Sequence, residues 1–443
     1  MTSLPLTPIE SYLYYDDVPA HPCWQIGRFR WTGRFRKPEL ERAWAEATGR
    51  HPLWSAAVGR GPLGGLRWEL ERGTRPPVHW SHRDPAREWP PWQPLDLGRG
   101  PGARLYVVEA DATVDCVVCV HHAVCDGLAI LEVMEDVFVL YALALGETLE
   151  LRSAATAGAL RRRGRFGSTL LQRLGLPVLQ VAGMLAEVRL LRRTVAPLLP
   201  GAAAVSPQPP PEWPALVSRR WTQAETNALK NAARLAKVSL NELCMRDLQA
   251  AIGTWRLGQG VDRPDDWIRL GAAVSLRRLT KGPWPAANMF GIALIERQAR
   301  SLANRERLLR RAHEDLGLVE KWNFGYAFWM LLRLRRWWPG GIRAYARRPV
   351  VRMTFVMSYL GKALSRNPLR REGQNPAVPG AVLYDMQGLA PTRAGTCCCA
   401  DVGLFFGHFG ADFNYDPRVL TRGQATALME EFARQLALSA AGK

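Results

Sequence analysis

The chain has 443 residues, 47% of them hydrophobic and 22% charged, and its 59 basic against 40 acidic residues leave a net charge of +19. That composition and length suit a globular protein with two cores and exclude a disordered or fibrous chain; no fixed period marks a solenoid or propeller. The basic excess points to an anionic partner, whether phosphates, an acidic protein or a membrane surface.

In chain order, the spacing of Leu40, Ala43, Trp44 and Ala47 predicts a helix over Pro38–Gly49. The runs Arg104–Glu109 and Asp115–Val120, rich in β-branched residues and separated by Ala110–Thr113, predict an antiparallel hairpin. From Gly127 to Leu145 the positions Leu128, Leu131, Met134, Phe138 and Leu145 keep helical spacing, with Gly146 as a stop. Residues 156–200 are rich in arginine and leucine (Leu160, Leu170, Leu171, Leu174, Leu176, Leu179, Leu185, Leu190, Leu191). They read as a helical connection packed between lobes, or alternatively as an amphipathic surface that meets lipid or an acyl chain. Residues 201–217, GAAAVSPQPPPEWPALV, carry five prolines and read as a linker, because proline removes backbone donors and fixes an extended path. The expected organisation is therefore a lobe over 1–200, a linker over 201–217 and a second lobe over 218–443. In the second half Gln223–Leu235 and Asn241–Trp255 read as helices. Trp267–Leu276, Met289–Glu296, Val350–Ser358 and Val402–Phe409 read as strands, giving an α/β chain of two lobes.

The charge is concentrated: residues 151–200 hold nine Arg and one acid, Glu187. Residues 321–350 hold six Arg and one Lys with no acid, interleaved with Trp322, Trp329, Trp337 and Trp338. No zinc-finger, basic-zipper or RNA-recognition pattern accompanies it, which weighs against nucleic acid. The first twenty residues carry no cation, and the longest quiet apolar stretch, Leu174 to Ala186, is too short to cross a bilayer. The expectation is a soluble cytoplasmic protein, with any membrane contact peripheral. Its cysteines (Cys23, Cys116, Cys119, Cys125, Cys244, Cys397, Cys398, Cys399) are spaced as neither a disulfide framework nor a paired zinc site, and read as reduced thiols.

The most informative stretch is Asp115–Gly127, DCVVCVHHAVCDG. A strand ends in His121–His122, and three residues later Asp126–Gly127 opens a helix. Consecutive strand residues point to opposite faces, so one histidine can face a cleft while the other anchors inward. Neutral imidazole is the side chain suited to take a proton near pH 7. Asp126 has a plain role as helix cap. A metal site at His121, His122 and Cys125 lacks further ligands, and two ordinary core histidines are the bland alternative. Cys125 beside the base also raises a thiol nucleophile.

These residues match the His-His-x-x-x-Asp-Gly signature, and the chain resembles the condensation-domain superfamily of acyltransferases, which includes wax ester synthases and chloramphenicol acetyltransferase. The resemblance runs along most of the sequence: Pro8–Tyr12 (PIESY), Gly33, Arg50-His51-Pro52-Leu53, Leu95-Asp96-Leu97 and Arg104 before the signature. Ser239-Leu240-Asn241-Glu242, Ser275-Leu276-Arg277, Asn288-Met289-Phe290-Gly291 and Asn414-Tyr415-Asp416-Pro417 follow it in order. It implies two chloramphenicol acetyltransferase-like lobes in a V around a central substrate tunnel, with His122 midway along it as general base. His121, Asp126, Gly127 and Arg277 would be structural at the site, Asp126 pairing with Arg277 and Gly127 leaving room for the donor's arm. Ser358, Tyr359 and Asn288 would line the tunnel or face the oxyanion. The donor would be acyl-CoA or an acyl group on a phosphopantetheinyl carrier protein, with no permanently bound cofactor and no metal. The acceptor would be a small molecule with a hydroxyl or amine, and the product an ester or amide in secondary-metabolite or lipid biosynthesis, made in trans. The rival reading is a non-catalytic condensation-like domain that recruits a carrier protein; epimerisation or cyclisation in the same tunnel is a third. Two departures stand out. Ser358-Tyr359-Leu360-Gly361 replaces the Ser-Asn before a Leu-Gly-like turn found in many relatives. The Asp-Phe-Gly-Trp-Gly box of plant acyltransferases is absent, and His408, in Gly407-His408-Phe409-Gly410, reads as a strand residue rather than a second base.

Overall fold

A computed structural model describes residues 3–442 except 63, 85, 167–180, 182–184, 186, 187, 189–191, 201–213, 281, 282, 349, 365–367 and 371–374. The first half runs β1 (Ser3–Pro5), α1 (Pro8–Asp16), β2 (Trp24–Gly33), α2 (Lys37–Arg50), β3 (Ala57–Arg60), β4 (Leu66–Glu69), β5 (Val78–His82), β6 (Ala103–Glu109), β7 (Thr113–His121), α3 (Gly127–Ala144) and α4 (Ala157–Arg161). The second runs β8 (Ala215–Arg220), α5 (Gln223–Leu235), α6 (Leu240–Gly258), β9 (Trp267–Ser275), β10 (Phe290–Gln298), α7 (Arg305–Trp322), α8 (Ala327–Arg335) and α9 (Gly341–Ala346). It ends with β11 (Phe355–Ala363), β12 (Ala377–Val378), β13 (Ala381–Leu389), β14 (Cys398–Phe405), β15 (His408–Tyr415) and α10 (Arg422–Ala440).

Two six-stranded sheets carry the architecture, in the orders β12-β13-β2-β7-β6-β5 and β10-β9-β11-β14-β15-β8. The β6–β7 hairpin forms where its two β-branched runs placed it. Val114, Cys116, Val118 and Val120 face the core under α2 and α3. On the opposite face Val117 and Cys119 enter a smaller cluster, and Asp115 takes the Arg28 guanidinium at 2.6 Å. The helix α3 is apolar nearly all round, as a helix buried among other elements must be. Its one buried carboxylate, Asp136, is held by His51 at 3.1 Å and Arg152 at 2.8 Å, which is what the Arg-His-Pro turn is for. Likewise Glu10 of the PIESY segment closes a capping box with Thr7 and meets Arg163 at 2.7 Å.

Three expectations need correction. The division drawn at 201–217 is not the division between sheets. Ala215–Val217 already belong to β8, and β13 crosses back to pair with β2 of the first sheet. Residues of α8 and α9 pack in the first core too, so the lobes interlock. The apolar run Val402–Phe409 is not one strand but the end of β14, a turn and the start of β15. Phe406 at φ 53° and Gly407 at φ 100° reverse the chain, which no local apolar pattern signals. The strand expected at Val350–Ser358 lies five residues further on, because β11 continues through Gly361. There the backbone turns left-handed at φ 67°, and the pairing with β14 slips between Tyr359 and Lys362. Within 156–200, Leu160 is buried in the first core and Leu185 is 61% exposed. Leu170, Leu171, Leu174, Leu176, Leu179, Leu190, Leu191 and most of the proline-rich segment lie outside the described residues.

Candidate active site

A cavity of about 1470 Å³, counted out to its open mouths, lies between the two sheets. Its walls come from α1, β2, the start of α3, β9, β10, β11, β13 and β14. Register decides what faces it. Trp24 of β2 pairs with His121, and the next step of the ladder is the His122 amide donating to the Cys23 carbonyl at 2.8 Å. Cys23 and Gln25, two apart on an extended strand, therefore share the face on which His122 emerges.

The two histidines are held in different tautomers. His121 is buried; its Nδ1 accepts the Ala123 amide at 3.0 Å, so a neutral ring carries its proton on Nε2, which lies 3.6 Å from Asp17. For His122, Nδ1 lies 3.1 Å from the Cys125 carbonyl, which can only accept. That puts the proton on Nδ1 and leaves Nε2 as the basic nitrogen; the Gln25 side-chain nitrogen lies against the ring, 2.9 Å from Nε2 and 3.1 Å from Nδ1. The Phe290 ring stacks on the imidazole with centroids 5.2 Å apart. Burial pushes the His122 pKa down to about 4, so the ring is neutral at physiological pH. Neither Gln25 nor Phe290 was singled out as acting on His122. Gln25 shows nothing in sequence except a polar residue inside a strand between Trp24 and Ile26.

Asp126 caps α3 by accepting the Ala129 amide at 3.0 Å, and accepts the Met289 amide at 2.8 Å. Its two oxygens take the Arg277 guanidinium at 2.9 and 2.8 Å, a bidentate clamp from the second lobe onto the first. Gly127 borders the cavity, and a Cβ there would meet only Leu360, at 3.9 Å. Ser358 and Tyr359 line the cavity from β11, but the Ser358 hydroxyl is engaged by Asp401. Burial raises the Tyr359 phenol pKa. Asn288, expected in the tunnel or at the oxyanion, is placed elsewhere. It is 1% exposed, and its amide donates to the His122 and Ala123 carbonyls at 2.8 and 3.0 Å, so it braces the histidine turn from behind. Cys125 is fully buried with its thiol pKa raised well above the usual range, leaving no thiolate to act as nucleophile.

Asp401 was also missed. It lines the cavity while only 8% exposed, and among the described residues no cation pairs with it. Burial, with Asp412 nearby, raises its pKa to about 7 against the Ser358 hydrogen bond. Arg393, also in the cavity lining, is neutralised by Asp16 at 2.5 Å. The Asn414–Pro417 motif ties the lobes together: Asp416 binds Arg418 at 2.6 Å, and Arg418 donates to the Ala20 carbonyl at 2.7 Å.

No family model and no curated protein matches the sequence. Solved structures do match over its whole length. The trichothecene 15-O-acetyltransferase from Fusarium sporotrichioides has TM-score 0.69 at 10% identity, covering 99% of this chain and 95% of that one. The starter condensation domain of rhizomide synthetase, solved in complex with C8-CoA and Leu-SNAC, has TM-score 0.64 at 15% identity, covering 99% and 95%. The epimerization domain from the third module of tyrocidine synthetase B has TM-score 0.65 at 13% identity, covering 100% and 98%. At these identities the likeness is one of fold, and it is the two-lobed condensation-domain and acetyltransferase fold, as the histidine signature implied.

Proposed function

We propose that this chain is an acyltransferase that moves an acyl group from a thioester to a hydroxyl or amine, with His122 as general base. The observation that carries the reading is the fixed tautomer of His122, with Nδ1–H on the Cys125 carbonyl and the Nε2 lone pair at the cavity wall. The acceptor's O–H or N–H donates to Nε2. As its lone pair adds to the thioester carbonyl, the proton passes to Nε2. The tetrahedral intermediate then collapses, the C–S bond breaks, and the departing sulfur takes that proton back, so the imidazole ends neutral. A ring with pKa about 4 is a weak base, which ties proton transfer to bond formation instead of letting it run ahead. General-base help is worth roughly 10²–10⁴-fold. The remainder falls to orientation in the cavity and to donors at the oxyanion, for which the Gln25 amide beside the imidazole is at hand. The donor is acyl-CoA or an acyl-carrier protein, both anionic and so matched to the +19 charge.

The test is mass spectrometry of reactions pairing acyl-CoA and acyl-carrier donors with pooled alcohols and amines, wild type beside His122→Ala. An acylated product that vanishes in the variant supports the proposal. Equal product from both proteins removes His122 as base. No product together with tight carrier binding replaces the enzyme with a recruitment domain.

A further inference from the structure

Many arginines are paired inside the fold: Arg28, Arg163, Arg220, Arg269, Arg277 and Arg418 each close on a carboxylate. The stretch from Arg333 to Arg348 differs. Its six arginines form no ion pair among the described residues, and residues 321–350 contain no acid. Arg336 and Arg347 donate to backbone carbonyls, Arg335 lies over the Tyr345 ring, and Arg343 and Arg348 stand exposed.

Between α8 and α9 this stretch carries a tight turn whose tip is Trp337 and Trp338, 88% and 67% exposed. Trp337 is the most exposed large apolar side chain among the described residues, and Leu334, one helical turn back, is 47% exposed. The tip is built, not frayed. The Trp337 and Trp338 amides donate to Leu334 and Arg335 at 3.1 and 3.2 Å, and Gly341 donates to the Trp338 carbonyl at 2.8 Å. Pro339 and the left-handed Gly340 at φ 70° fix the reversal. Trp329 of the same stretch behaves differently, buried with its indole N–H on the Phe290 carbonyl at 2.8 Å. Core packing thus accounts for one tryptophan and leaves the exposed pair unexplained.

We propose that this turn seats the protein on an anionic lipid bilayer, with Trp337, Trp338 and Leu334 entering the interface and Arg336, Arg343, Arg347 and Arg348 meeting lipid phosphates. Indoles favour the headgroup boundary, where an apolar ring and a polar N–H are both served, and unpaired arginines around them supply attraction to negative lipid. An acidic protein or a nucleic-acid backbone would satisfy the arginines yet leave three apolar side chains at a protruding tip. The seat lies close to the cavity: α9 packs on α1, and Tyr12 and Tyr345 approach with ring centroids 6.0 Å apart. Ile9, Tyr12 and Leu13 of that same α1 line the cavity wall.

The proposal is independent of turnover and is tested without it. The full chain is floated with vesicles of phosphatidylcholine alone and of phosphatidylcholine with about one-third phosphatidylglycerol, at low and high salt. Expected are binding to the anionic vesicles, weakening with salt as screened charge must, and a loss of at least tenfold in Trp337→Ala/Trp338→Ala with thermal unfolding unchanged. Arg343→Gln/Arg348→Gln should lose the salt-sensitive part and keep the tryptophan part. Vesicle binding that is absent, or equal in wild type and both variants, overturns the proposal. So does a tryptophan variant that loses binding to single-stranded RNA while keeping vesicle binding.

Discussion

The Asp126–Arg277 clamp is the sharpest place to test how the two sheets are held around the cavity. Arg277→Ala removes a bidentate partner whose side chain is 18% exposed from a carboxylate that is 7% exposed. Breaking a well-buried pair costs about 3–5 kcal/mol, because one charge is left without its partner. Here Asp126 keeps the Ala129 and Met289 amides, and Arg277 is not fully buried, so about 2–3 kcal/mol is expected. The second contact of Arg277, to Glu132 at 3.7 Å, is long and has its carboxylate one-third exposed, so it adds little. Arg277→Lys keeps the charge but not the fork and should lose roughly half as much. In Asp126→Asn/Arg277→Ala no orphan charge remains, so the double variant should recover at least about 1 kcal/mol relative to the sum of the singles. Urea unfolding followed by both circular dichroism and tryptophan fluorescence measures this, two probes being needed because the lobes could open before they unfold. Arg277→Ala within about 0.5 kcal/mol of wild type, with no coupling in the double variant, would refute the reasoning.

The acid limb of the kcat/KM profile should fall below pH 5, near the His122 value of about 4, not near 6.5. Gln25→Glu puts a carboxylate against the ring, where it stabilises the imidazolium, so the limb should rise by a unit or more; an unmoved limb removes the Gln25 contact from the mechanism. Asp401, with its native pKa raised to about 7, keeps a proton that the unfolded chain loses above the ordinary aspartate value of 3.8. Its contribution to stability therefore falls as pH rises between those values. Asp401→Asn should gain on wild type by roughly 1–3 kcal/mol between pH 5 and pH 8 in urea unfolding, and a pH-independent difference would show that the carboxyl does not titrate there. Gly127→Leu projects into cavity space toward Leu360 at the first position of a helix. It should leave stability within about 1 kcal/mol while raising KM for long acyl donors at least tenfold. Unchanged KM across chain lengths would take the donor's path away from Gly127.

What the sequence by itself determined is what lies within one window of the chain. Two β-branched runs within Arg104–Val120 specified a hairpin, apolar spacing after Gly127 specified α3, and an aspartate before that helix specified its cap. With the histidine signature these placed His122 at the end of a strand, and the family resemblance set Arg277 opposite Asp126. Tertiary structure alone decided what depends on partners far away in sequence. Gln25 reaches the His122 ring only because β2 pairs with β7 in a register that sets Cys23 beside His122. β13 belongs to the first sheet only because its backbone finds the open edge of β2, whatever linker precedes it. Asp401 sits in Cys398–Phe405, which reads as any buried strand, and its missing cation becomes visible only when the cavity walls are assembled. Trp329 and Trp337 are alike in a basic stretch without acids; one fills a core and the other meets solvent, because α8 ends between them. Local pattern fixes how a segment folds, and which groups it then meets is a property of the packing.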